Sequence, residues 1–304
     1  MPAGTDHFGG QPAPGSWRAE LLDLVRAASG GLLFGVPLLY TMEVWWIGSH
    51  SRPRDTAVVL ALLMVPVFVL NRTAGFRETR DQRVVDAVAD TIEAVAIGLV
   101  VTAIVLIVLR EVTFGDPLAS SLGKIVYESV PFCLGIGVAR HFLHGGRVAD
   151  DDEESEQDGA AGAGRRGKAD DDDQARGTLA DLGVSTVGAV FISLSIAPTD
   201  EVPLIASALS PAWLLPIVAA SLVASYAIVF VAGFSRQDQR HGQGGAFQHP
   251  ITETVVCYLL ALLTALVLLW SFQRGLEPWP DVLTRVVVLG FPAALGGAAG
   301  RLAI

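Results

Sequence analysis

Two glutamates in apolar surroundings are the residues of this sequence best suited to chemistry inside a membrane. Glu43 lies in the stretch TMEVWWIG, at the far end of an apolar run, and Glu201 lies in the similar stretch TDEVPLIA. Thr41 and Thr199 precede them by two positions. Carboxylate and hydroxyl oxygens are ligands for hard cations, and two carboxylates that share a site resist simultaneous ionisation and so hold a proton. These four residues therefore predict a cation or proton site.

The elements that must position these residues are membrane-spanning helices. The chain has 304 residues, of which 51% are hydrophobic, and a mean hydropathy of +0.49, which is too apolar for an ordinary soluble domain. A helix needs about 20 mostly apolar residues to cross roughly 30 Å of hydrocarbon. Strand-type alternation does not occur in the sequence, so an all-α polytopic membrane protein with eight transmembrane helices is predicted. The predicted spans are Ser29 to Ile47, Ala57 to Phe76, Val84 to Leu109, Leu122 to Leu143, Leu179 to Pro198, Ala212 to Phe234, Ile251 to Phe272 and Val282 to Ile304.

The sequence also contains an internal repeat. At an offset of 158 positions TMEVWWIGSHSRP aligns with TDEVPLIASALSP, and at an offset of 161 PFCLGIGVAR aligns with PAALGGAAGR. Apolar composition alone would not align charged residues, prolines and glycines in order. The pattern predicts a tandem 4+4 repeat, with units at residues 21–143 and 179–304. Because four spans return the chain to its starting side, the two units are predicted to be parallel.

Other charged residues in or beside the spans also align between the units. In the first unit Lys124 is expected at the depth of Glu43, and Arg140 at the depth of Glu93. A charged residue at a helix centre costs about 2.5–3.5 kcal/mol, so these side chains need partners, water or a bound cation. Structural ion pairs within each unit are therefore an open alternative to a cation site. The aligned residues are Glu93 with Glu253, Lys124 with Arg285, and Arg140 with Arg301.

The remaining segments predict helix kinks and topology. Pro131 and Pro292 match in the repeat and are predicted to kink their helices, because proline removes a backbone hydrogen bond. Residues 1–20 read as a disordered tail and residues 144–178 as an acidic linker. Most of the 21 Lys and Arg residues lie in alternate connecting segments, which places both termini and the linker in the cytoplasm.

The TxEV motifs at Thr41 and Thr199 and the PxxLGxxxxR motifs at Pro131 and Pro292 resemble those of a family of uncharacterised bacterial eight-span integral membrane proteins, known as a domain of unknown function. The resemblance covers most of the chain outside the tail and the linker. It implies the fold and a location in the bacterial inner membrane, and it implies no activity.

A channel or transporter for a cation or proton is the function that these features favour. The alternative is a membrane scaffold or sensor whose charges are structural ion pairs. An enzyme is not expected, because no Ser or Cys stands beside a His within a span and no HExxH or phosphate-binding glycine loop occurs. The expected partners are membrane lipid and an inorganic cation or proton, with no cofactor and no nucleic acid. The sequence leaves open which metal ion would bind and whether the chain forms a homo-oligomer.

Overall fold

The described part of the chain is entirely helical outside its turns. The computed structural model describes residues 16–75, 84–153, 169–232 and 250–302. We refer to α1–α5 as the first half and to α6–α10 as the second half. The helices are α1 Ser16–Leu39, α2 Met42–His50, α3 Pro53–Gly75, α4 Val84–Val108, α5 Leu118–Glu153, α6 Ala169–Ile196, α7 Glu201–Ala208, α8 Leu214–Tyr226, α9 Pro250–Ser271 and α10 Trp279–Arg301. A 3₁₀ turn, Pro211–Trp213, precedes α8, and a π-helical turn, Ala227–Val231, follows it.

Seven helices of the described chain are long and apolar enough to cross a membrane. An eighth span is obtained if α6 and α7, which meet at a bend of 89°, are counted together as one broken span. The prediction of an all-helical membrane fold is therefore confirmed, with seven spans or eight. The first span lies earlier than predicted, at Glu20–Leu39, because α1 ends where the apolar run Ser29 to Ile47 continues.

Both halves contain a helix break followed by a short helix. In the first half α1 ends at Leu39 and the nine-residue α2 begins at Met42. In the second half α6 ends at Ile196 and the eight-residue α7 begins at Glu201. The expectation that Glu43 lies within a continuous span is therefore wrong. The apolar composition continues through the break, while the helix is interrupted at Thr41, whose backbone is extended.

The same helix pairs are in contact in the two halves. Helix α5 packs against α1, α2, α3 and α4, and α10 packs against α6, α7, α8 and α9. Gly30 of α1 lies against Gly135 and Ala139 of α5, and Gly188 of α6 lies against Gly296 and Gly300 of α10. Because glycine has no Cβ, these helices approach each other closely.

The halves meet along α1, which contacts α10 and the π-helical turn. The Tyr40 hydroxyl donates a hydrogen bond to the carbonyl of Val288 at 2.7 Å, and the Arg26 Nε donates to the carbonyl of Ala232 at 3.0 Å. Among the candidate spans α10 is the most buried and α3 the least. The exposed face of α3 carries large apolar residues, including Leu62, suited to contact with lipid.

The predicted tail and linker are only partly described. Helix α1 begins at Ser16, and residues 1–15 lie outside the described residues. Helix α5 continues to Glu153 and α6 starts at Ala169, so both helices extend into the predicted linker 144–178, whose residues 154–168 are not described. Pro131 lies within α5 and Pro292 within α10, and both helices continue past their proline.

The close approach of α6 and α10 gives a first prediction. In Gly188→Ala the new Cβ would overlap the carbonyl of Gly296, so we expect a loss of about 1–3 kcal/mol of stability from overpacking. Thermal unfolding in detergent measures this loss. Gly183→Ala on the same helix is the control, because a Cβ at Gly183 would meet nothing within 4 Å. Equal melting temperatures for the two variants would show that the helices are not closely packed at Gly188.

Candidate functional site

The candidate site is an open pocket between the two short helices and the start of α5. Its volume is about 400 Å³. Helix α2 provides most of the lining, α7 provides one apolar side chain, and an ion pair forms part of the wall. The lining residues are Met42, Glu43, Trp45, Trp46, Ser49, Glu111, Lys124 and Leu204.

The two predicted site glutamates begin the two short helices. Glu43 lies in the first turn of α2 and Glu201 in the first turn of α7. A carboxylate in a first turn is stabilised by the free backbone N–H groups and by the helix dipole. The two environments differ, because Glu43 is exposed whereas Glu201 is 9% exposed.

The structure brings Glu201 to the first turn of the other short helix. Its Oε1 accepts a hydrogen bond from the backbone N–H of Met42 at 3.4 Å, one residue before Glu43. Its Oε2 is buried and has no hydrogen-bond partner among the described residues. The Glu201 carboxylate thus crosses the contact between the halves and meets the backbone one residue before Glu43.

The two predicted threonines cap the helices that end at the breaks. The Thr41 hydroxyl donates to the carbonyl of Leu38 at 2.8 Å, and the Thr199 hydroxyl donates to the carbonyl of Ile196 at 2.7 Å. Their protons are therefore used on the backbone, while each hydroxyl oxygen keeps lone pairs that can accept or coordinate.

The basic residues at the pocket end of the spans pair with connecting segments. Lys124 Nζ donates to the backbone carbonyl of Glu111 at 2.6 Å and lies 3.5 Å from the Glu111 carboxylate. Arg285 donates to the backbone carbonyl of Arg274 at 3.0 Å and forms an ion pair with Glu277. The expected pairs of Lys124 with Glu43 and of Arg285 with Glu201 are not among the ion pairs of the described residues. Lys124 does line the same pocket as Glu43.

The ends of α4 and α9 explain this difference from expectation. Arg110 and Gln273 have left-handed backbone angles, with φ of 61° and 60°. The next N–H in each case returns to a carbonyl five residues earlier, from Glu111 to Leu106 at 2.9 Å and from Arg274 to Leu269 at 2.7 Å. This helix termination turns the connection back toward the following helix. The backbone carbonyls of Glu111 and Arg274 therefore lie beside the basic side chains of Lys124 and Arg285 and accept hydrogen bonds from them.

Among the charged residues at the other end of the spans, Arg301 is buried and forms an ion pair with Glu253. The guanidinium also lies 5.3 Å from the ring centre of Phe230. Glu93 is exposed on α4, and the side chain of its expected partner Arg140 lies outside the described residues.

One buried acidic residue was missed by the sequence reasoning. Glu128 lies in the span Leu118–Ala139 of α5 and is 1% exposed. The sequence signal was a single acidic residue between the apolar stretches of that span, one helical turn after Lys124. Among the described residues no three His, Cys, Asp or Glu side chains cluster to hold a metal ion.

The family of the chain is established by sequence comparison. A family model described as "Putative integral membrane protein (DUF2391)" matches residues 23–304. The chain belongs to this family. No curated protein and no solved structure is similar enough to this chain to count as a match. Membership agrees with the helical spans and makes the chain a multi-pass integral membrane protein.

The Glu253–Arg301 ion pair gives a second prediction. Arg301→Met should lower stability by about 3 kcal/mol, because it removes a fully buried guanidinium and with it the ionic partner of the largely buried Glu253 carboxylate. Adding Glu253→Leu should recover much of this loss. Thermal unfolding of the two single variants and the double variant completes the cycle, and additive effects would show that the two residues do not stabilise each other.

Glu111 gives a third prediction, because it lies in a connection outside the spans. Burial raises the pKa of its carboxyl, and the Lys124 ammonium opposes this effect. Because the folded-state pKa is raised, the folded protein holds this proton more tightly than the unfolded chain does. The resulting stabilisation is complete below the usual glutamate pKa of about 4.3 and is lost as pH rises through the folded-state pKa. The stability of the parent relative to Glu111→Gln should therefore fall as pH rises from about 4.3. Melting temperatures across this range measure it, and a relative stability that rises with pH would contradict it.

Proposed function

We propose that this membrane protein conducts or transports a proton or an inorganic cation, with Glu43 and Glu201 as the binding carboxylates. The observation that supports this most directly is the contact of Glu201 with the backbone N–H of Met42, which joins the first turns of α2 and α7. Under this proposal the protein is not an enzyme, and Thr41 and Thr199 contribute hydroxyl oxygens to the site.

The broken helices support a transport role. In membrane transporters, helices that break within the bilayer provide backbone groups and helix ends that bind ions near a repeat interface. Here two breaks lie beside each other, and the buried Oε2 of Glu201 has lone pairs that are not used by any described hydrogen-bond donor. The adjacent pocket supplies an opening through which an ion could reach Glu43, which is part of its lining.

We also propose that the two halves are parallel repeats of one four-span unit. The sequence offset of 158 relates Gly30 to Gly188 and Thr41 to Thr199, and each pair has the same kind of contact in its half. The basic residues Lys124 and Arg285 each donate to a carbonyl that follows a left-handed residue. Two parallel units would give the matched glutamates one common site between them.

The distribution of basic residues supports an orientation. With most Lys and Arg in alternate connecting segments, both termini and the acidic linker would be cytoplasmic, as expected in a bacterial inner membrane. The pocket would then open on the opposite, outer side, together with Trp45 and Trp46 of its lining.

A scaffold or sensor is the second candidate, and the ion pairs favour it. Lys124, Arg285 and Arg301 each pair with a glutamate. Glu43 and Glu201 could also serve only to stabilise the starts of their helices. In that case the glutamates would contribute to stability and not to ion movement.

A flux measurement separates the two candidates and is the fourth prediction. In liposomes with defined proton, sodium and potassium gradients, Glu43→Gln and Glu201→Gln should each reduce flux by about tenfold, the effect of losing about 1.4 kcal/mol of interaction with the ion. The double variant should lose less than the two single losses multiplied, because both residues act on one site.

The control is Glu277→Gln, which makes the same chemical change in a connection outside the pocket. It should retain the flux of the parent. If the double Gln variant is folded and moves each tested cation as fast as the parent, the carboxylates are structural and the scaffold function replaces transport.

A further inference from the structure

Glu128 is a buried carboxylic acid that the fold itself does not require. Its side chain is 1% exposed, and its Oε1 has no hydrogen-bond partner among the described residues. The offset of 161 that aligns Pro131 with Pro292 aligns Glu128 with Leu289, which is fully buried in α10. Because a leucine occupies the matching place in the second half, packing alone does not explain a carboxyl group in the first half.

Glu128 faces the break between α1 and α2. Along α5, Lys124 lies against Gly48 of α2, and Phe132 lies against Gly35 of α1. Glu128 is one turn from each of these residues and therefore on the same face of α5. The chain between Gly35 and Gly48 contains the break, so Glu128 lies at its level.

The direction of the Glu128 side chain links it to the pocket. Side chains on a helix tilt toward its N-terminus, which for α5 is the end that carries Lys124. Lys124 and Glu111 form part of the pocket wall and contact each other. Lys124 is also one helical turn before Glu128 on the same helix. The Lys124–Glu111 pair therefore lies between the pocket and the level of the buried carboxyl.

Few charges are available to compensate an ionised Glu128. Burying a carboxylate without a partner is costly enough that such a group neutralises instead. Lys124, the nearest cation along the helix, already binds Glu111. Asp90 and Glu93 lie toward the opposite end of α4. The titratable and charged side chains at the pocket end of the elements packed against α5 are Tyr40, Glu43, His50, Arg52, Arg54, Asp55, Arg110, Glu111, Asp116 and Lys124.

We propose that Glu128 is a proton-binding site that exchanges its proton with the pocket by way of the Lys124–Glu111 pair. In the exchange the O–H bond of the Glu128 carboxyl breaks and its proton passes to the Glu111 carboxylate or to water in the pocket, and the reverse transfer restores the acid. The site deepens the proposed transport function, because it would make the proton the moving species, but its proton binding can be measured without any flux.

Infrared spectroscopy of the full chain in lipid tests the site. At neutral pH the spectrum of the parent minus that of Glu128→Gln or Glu128→Leu should contain a carbonyl stretch from a protonated carboxylic acid, and this difference band belongs to Glu128. The leucine variant reproduces the residue found at position 289 and should therefore fold. Glu277→Gln is the control that should keep the band. Transfer to D₂O should shift the band, because a proton in contact with the pocket exchanges with solvent.

Two results would overturn the proposal. If the parent-minus-variant spectra of both Glu128 variants contain no protonated-carboxyl band, Glu128 does not hold a proton. If this difference band does not shift in D₂O, Glu128 is a closed structural acid. Proton flux through liposomes is measured on the same samples and tests the transport function separately. If the band is lost in the variants and shifts in the parent while the parent moves no protons, the proton site stands and the proposed transport fails.

Discussion

Backbone groups freed where a helix stops in the apolar interior of the protein must find hydrogen-bond partners, and the candidate site is built around that requirement. At both breaks a threonine hydroxyl satisfies one of these groups: Thr41 and Thr199 each donate a hydrogen bond to a carbonyl in the last turn of the preceding helix. The indole of Trp45 donates to the carbonyl of Leu39 at 2.7 Å. At the start of α2 the free backbone N–H of Met42 donates a hydrogen bond to the Glu201 carboxylate. These bonds let the chain turn within an apolar environment and hold two carboxylates at helix starts.

The close packing of α5 and α10 against the other helices fixes what lies beside the breaks. Where α5 follows α1, it brings Lys124 and Glu128 to the level of the first break. At the corresponding place α10 has Arg285 and Leu289. The two halves therefore share a backbone arrangement and differ in charge.

The sequence predicted the spans well because apolar composition reports the environment of a segment. It could not predict the break after Leu39, since the composition stays apolar there. In the second half the predicted span ended at Pro198, close to the observed break after Ile196. The partner of Lys124 was missed because the path of Glu111 depends on the left-handed Arg110, and arginine has no preference for that conformation. Glu128 was missed because the site was predicted from charged residues that align between the two halves of the sequence, and Glu128 aligns with Leu289.

The burial of α10 has a consequence for how the chain is made. Helix α10 follows in sequence every element that it packs against, and it is the most buried of the candidate spans. During synthesis, α6 to α9 therefore enter the bilayer before the helix that fills the space between them. Until α10 arrives, the Glu253 carboxylate lacks the buried Arg301 that pairs with it in the finished bundle. The second half can thus reach its final packing only after α10 has inserted.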